Sequence, residues 1–82
     1  MITVTYFGSL KTLQPSGSEQ LAWSDGSTDD LLAALRSRGP DWRRALQPGR
    51  VFKVAINGQL LNAPAAIHDG DAVAILPPVT GG

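Results

Sequence analysis

Ala72-Val73-Ala74-Ile75-Leu76 is an unbroken apolar run, preceded by Asp69-Gly70-Asp71 and closed by Pro77-Pro78. So short a run bounded by turn residues reads as a strand, and the absence of polar alternation predicts a central strand covered on both faces. The prolines end it, because proline brings no amide to a ladder. A central strand needs neighbours, and the rest of the chain offers them. Ile2-Thr3-Val4-Thr5-Tyr6-Phe7 alternates, with Ile2, Val4 and Tyr6 on one face and Phe7 on the other. Glu19 to Trp23 predicts a strand returning antiparallel to the first, with Leu21 and Trp23 sharing a face. Val51 to Asn57 predicts another, with Phe52, Val54 and Ile56 inward. Asn57-Gly58 is a hairpin signal, since both residues tolerate positive φ, and Gln59-Leu60-Leu61 is its short return.

Between these units lies the clearest helix. After the turn Ser24-Asp25-Gly26, Ser27 or Thr28 caps free amides, and Asp29 and Asp30 suit the positive end of the helix dipole. Leu31, Leu32 and Leu35 line one face with Ala34 beside them, and Gly39-Pro40 stops the helix. Asp41 to Leu46 predicts a second short helix bringing Trp42 and Leu46 together, and Ser9 to Leu13 one helical turn. Gln14 to Ser18, Pro48-Gly49 and Asn62 to His68 read as loops and turns. The order β-β-α-β-β-β predicts an α+β roll of the β-grasp (ubiquitin-like) kind, a mixed sheet with one main helix packed across it. Residues 1–76 form this domain, and 77–82 a flexible tail ending Gly-Gly.

At 82 residues and 43 % hydrophobic content the chain supports one modest core. Seven basic and seven acidic residues cancel, which argues against nucleic acid as a partner. No stretch approaches a membrane span and no secretory signal is visible, so a cytoplasmic, membrane-free protein is expected. Without cysteine there is no disulfide, thiolate metal site or thiol nucleophile.

Conventional catalysis finds little support. The single histidine, His68, reads as a solvated turn residue, and no nucleophile-elbow sequence accompanies the serines. The six aspartates and one glutamate mostly sit where capping explains them. Asp69-Gly70-Asp71 lacks the further ligands of a calcium loop, and no metal site is expected. Lys11, Arg43, Arg44 and Arg50 read as solvated charges.

The informative segment is Pro77-Pro78-Val79-Thr80-Gly81-Gly82. At ordinary glycine usage a Gly-Gly ending arises by chance roughly once in 200 chains. Here it follows a stiff Pro-Pro and a stretch with no charge and no bulk beyond Val79. Fully extended, such a segment reaches roughly 20 Å. Two residues without Cβ pass through a narrow channel and accept dihedrals that others refuse. The α-carboxylate of Gly82 is then the reactive group. A carboxylate is a poor electrophile, so it needs activation, most simply as a mixed anhydride with AMP. Sulfur then captures it as a thiocarboxylate, or an amine as an amide. Phe7, Leu60 and Leu76 are the apolar residues placed to surround the tail's root and meet a partner.

The length, the element order, Phe7 closing the first strand, Asp69-Gly70-Asp71 and the Pro-Pro-Val-Thr-Gly-Gly ending together resemble the small-subunit family of molybdopterin synthase. The resemblance spans the whole chain. It implies a β-grasp sulfur carrier in molybdenum cofactor biosynthesis that binds no permanent cofactor and carries its sulfur covalently. An E1-like adenylating (activating) enzyme would use ATP to adenylate Gly82, which becomes a thiocarboxylate. The tail would enter the large subunit of the synthase, which holds the pterin precursor and supplies the basic catalytic residues. Sulfur from two carriers would build the molybdopterin dithiolene in a heterotetramer. Family members often carry aromatic residues before the two prolines, where this chain has Ile75 and Leu76, so the docking surface differs in shape. The alternatives are a ubiquitin-like modifier joined to lysines through Gly82, a carrier for another pathway such as thiazole synthesis, and a plain interaction module.

Overall fold

The computed structural model describes residues 1–46 and 53–76. The Pro48-Gly49 turn, the start of the third expected strand at Val51 and Phe52, and the tail from Pro77 to Gly82 lie outside them.

The chain runs through β1 (Ile2–Tyr6), a short 3-10 helix (Gly8–Thr12), β2 (Ser18–Leu21), β3 (Asp25–Ser27), α1 (Thr28–Arg36), α2 (Pro40–Ala45), β4 (Lys53–Ile56), β5 (Gln59–Leu60), β6 (Ala66–His68) and β7 (Ala72–Leu76). Five strands form one mixed sheet in the order β2-β1-β7-β4-β5. β7 pairs parallel with β1 and antiparallel with β4, so the apolar run takes the central position expected of it. A mixed sheet with the main helix across one face is the β-grasp arrangement.

The core lies between that face and the helices. β1 contributes Ile2, Val4 and Tyr6, β7 contributes Val73 and Ile75, and α1 contributes Leu31, Leu32 and Leu35. Val54 and Ile56 pack against the same cluster from β4. Ala34, expected beside the leucines, is exposed instead; it lies one position short of Leu35, outside the buried stripe. Capping fixes the start of α1. The Ser27 hydroxyl accepts from the Asp30 amide at 3.3 Å, and the Asp30 carboxylate accepts from the Ser27 amide at 2.8 Å.

The structure departs from the sequence reading at two further points. Asp25–Ser27 and Ala66–His68, read as a turn and as irregular chain, pair antiparallel in a second, two-stranded sheet. The pairing is paid for by burial of Ile67, 0 % exposed, and by Trp23, whose indole Nε1 donates to the Ile67 carbonyl at 3.1 Å. Thr28 joins it to α1: its amide donates to the Ala65 carbonyl at 2.8 Å, and its hydroxyl accepts from the Ala65 amide at 3.2 Å. Gly26 is required here. Its φ is +152°, and a Cβ would stand 2.8 Å from Cζ2 of Trp23.

The second departure concerns β7, which is covered on one face only. Val73 and Ile75 are buried, while Ala72 is exposed and Ala74 and Leu76 are half-buried. Small side chains at Ala72 and Ala74 keep the run apolar although the described residues leave that face partly exposed.

Candidate docking face at the root of the tail

Strand alternation sorts side chains between the core and the opposite, open face of the sheet. Register then decides which residues share that open face. Thr3 stands beside Ala72 and Thr5 beside Ala74. Ala74 stands opposite Ala55, and Ala55 opposite Leu60. Leu76 stands opposite Lys53. Ser18 and Gln20 of β2, paired with Thr5 and Thr3, complete the far side.

The three apolar residues expected at a partner surface converge here. Leu60 is 60 % exposed and Phe7 42 % exposed. Leu60 is held out by the two-residue hairpin, where Asn57 has φ +52° and Gly58 φ +83°, the left-handed pair such a turn demands. Asn57 is further pinned to the start of β7. Its Nδ2 donates to Asp71 Oδ1 at 3.0 Å, and its Oδ1 accepts from the Ala72 amide at 2.9 Å. The His68 amide and this Asn57 donor hold the Asp71 carboxyl below the usual carboxylate range. Phe7 has extended backbone and donates its amide to the Ile75 carbonyl at 3.1 Å, continuing the alternation of β1 onto the Thr3 and Thr5 side. Leu76, half-buried, is the last described residue before Pro77. Pro77, Pro78, Val79, Thr80, Gly81 and Gly82 continue from that corner, outside the described residues.

The strand positions of this face carry threonine, serine, glutamine, alanine, leucine and one lysine. His68 is exposed on β6, in the other sheet. Among the described residues no group of three or more His, Asp or Glu is placed to hold a metal, and no helix is long and apolar enough to cross a membrane.

A charged cluster lies on the core side of the sheet instead. The Tyr6 hydroxyl donates to Glu19 Oε2 at 2.6 Å, and Arg38 donates to both Glu19 oxygens at 2.7 and 2.8 Å. The Arg38 guanidinium also lies 4.8 Å from the Trp42 ring centre, and Trp42 meets Tyr6 edge-on at 5.5 Å. Hydrogen bonds from Arg38 hold the Glu19 carboxyl below its ordinary value, and burial drives the Tyr6 hydroxyl upward. The Tyr6 hydroxyl, both Glu19 oxygens and both terminal Arg38 nitrogens are taken up within this ring, which marks it as structural. The sequence reading did not identify it.

Comparison with known proteins shows the family and the fold. The model of the ThiS family matches residues 4–82. The chain is 33 % identical to the molybdopterin synthase sulfur carrier subunit of Haemophilus influenzae, and 30 % identical to that of Escherichia coli K12. Each likeness extends over the full length of both chains. The crystal structure of SAMP1 from Haloferax volcanii superposes with a TM-score of 0.72 at 24 % identity, covering 99 % of this chain and 98 % of that one. That similarity concerns the fold, which is ubiquitin-like.

Proposed function

Because the chain belongs to the ThiS family, we propose that it is a sulfur carrier acting as the small subunit of molybdopterin synthase. The observation that carries this reading is the end-to-end likeness to two sulfur carrier subunits of that enzyme. The open face, with Phe7, Leu60 and Leu76 among its polar residues, adds to it.

In this reading Gly82 supplies the reactive carbon. Its carboxylate attacks the α-phosphorus of ATP on an E1-like activating enzyme, and pyrophosphate leaves. A sulfur donor then displaces AMP, leaving a thiocarboxylate on Gly82. Without Cβ atoms, Gly81 and Gly82 let the tip pass down a channel too narrow for side chains, while the proline rings at 77 and 78 restrict φ at the root and Val79 and Thr80 add no charge. Phe7, Leu60 and Leu76 seat the domain on the large subunit, which holds the pterin precursor. Two carriers deliver the two dithiolene sulfurs, and the assembly is a cytoplasmic heterotetramer. The chain itself contributes no catalytic side chain.

Deleting Gly81 and Gly82 tests this. The truncated chain should fold and bind the large subunit through its open face, yet support no molybdopterin formation. Full activity of the truncated chain would reduce the protein to an interaction module.

A further inference from the structure

Among the described strand positions on the open face, Lys53 alone has a charged side chain, and it stands directly opposite Leu76, where the tail departs. Lys53 is exposed and has no ion-pair partner among the described residues. The short β5 pairs only with Ala55 and Ile56; beyond it the Leu61 amide donates to the Val54 carbonyl at 2.9 Å, and Leu61 to Pro64 line a shallow groove with Lys53 and Asp29.

A partner that receives the tail must cover this corner, because Leu76 leads into it. Covering Leu76 takes water from the Lys53 ammonium, and a desolvated ammonium without a counter-charge is strongly disfavoured. On the open face itself the neighbouring Ala55, Ala74 and Leu60 side chains offer no acceptor. We infer that Lys53 is a specificity-determining residue at the docking face, and that it fits a partner whose tail-channel mouth presents a carboxylate, Asp or Glu, within an otherwise apolar surface. The inference rests on the sulfur carrier reading and adds the chemistry of the partner surface to it. Apolar contacts supply adhesion, whereas one ion pair beside the tail sets the register of docking and speeds encounter. A partner with an apolar or basic group at that point is rejected, because it strands the cation.

The test uses the full chain and the purified large synthase subunit of the same organism, with affinity measured between low and high salt. Wild type should weaken as salt rises. Lys53→Met, which keeps the apolar stem, should bind roughly tenfold more weakly at low salt and lose most of the salt dependence. Lys53→Glu should bind more weakly still, and Lys53→Arg should restore wild-type behaviour. Thermal melts of all three should match wild type, because the side chain is exposed. Equal or tighter binding by Lys53→Met at every salt concentration would overturn the inference and leave the carrier reading standing. No binding by wild type would overturn both. Large-subunit binding unchanged in all variants, with self-association lost in Lys53→Glu, would overturn it in favour of a second copy of the chain as the occupant.

Discussion

Arg38 grips Glu19 with both terminal nitrogens, at 2.7 and 2.8 Å, and so ties the turn after the main helix to the edge strand β2. The residues are far apart in sequence, and the pair is completed by the Tyr6 hydroxyl from beneath. Charged hydrogen bonds of this kind lend more than neutral ones, and the pair is mostly sheltered, with Glu19 15 % and Arg38 30 % exposed.

Glu19→Gln should therefore destabilise the fold by about 1–3 kcal/mol at neutral pH. The pH dependence has a definite sign. Glu19 has a folded pKa lowered below its ordinary value, chiefly by Arg38, so its contribution is present above the unfolded value of about 4.3 and disappears as pH falls through the folded one. Tyr6, raised chiefly by burial, contributes below the ordinary tyrosine value of about 10 and loses that contribution as pH rises through its folded value. Thermal melts across the acid range should show a shallower loss of stability in Glu19→Gln than in wild type. Identical slopes would show that the pair does not couple to folding.

Leu35 is fully buried beneath the sheet. Leu35→Ala should cost roughly 2–5 kcal/mol in denaturant unfolding, with binding to the large subunit retained below the melting transition.

Gly26→Ala should be damaging despite its small size. The backbone sits at φ +152° and the new methyl meets the Trp23 ring at 2.8 Å, so a loss of about 1 kcal/mol or more is expected. A fall in tryptophan fluorescence anisotropy or a shifted emission maximum would report the displaced indole, and an unchanged melt would show that β3 and Trp23 yield easily.

Leu60→Asp separates docking from folding. The side chain is 60 % exposed, so stability should change by no more than about 0.5 kcal/mol. Affinity for the large subunit, measured by calorimetry, should fall sharply. Retained affinity would remove the open face from the interface.

The sheet was largely readable from residue order because its signals are local: alternation in Ile2–Tyr6, the Asn57-Gly58 turn, and the Ser27 to Leu35 capping and leucine pattern. Strand parity also placed Phe7 away from the core. What escaped is non-local. Asp25-Gly26-Ser27 looks like a turn until Ala66–His68 arrives to pair with it, and no short-range pattern announces that meeting. The Tyr6, Glu19, Arg38 and Trp42 ring joins β1, β2, α2 and the turn between the two helices in the same way. Ala72, Ala74 and Leu76 misled for another reason: apolar composition does not distinguish a face covered by this chain from one left open. Lys53 was within reach, since Val54 and Ile56 inward imply Lys53 outward. The tail's chemistry rests on the residue types of Pro77 to Gly82 and the family likeness.

The central claim, that Gly82 carries sulfur, is tested most directly by intact mass after incubation with the activating enzyme, ATP and a sulfur donor, followed by thiol alkylation. The account predicts one alkylated adduct per chain, mapping to Gly82, and the chain's lack of cysteine leaves the label no other thiol. An unmodified carboxylate at Gly82 under these conditions, or Gly82 joined to lysine side chains in place of sulfur, would contradict it.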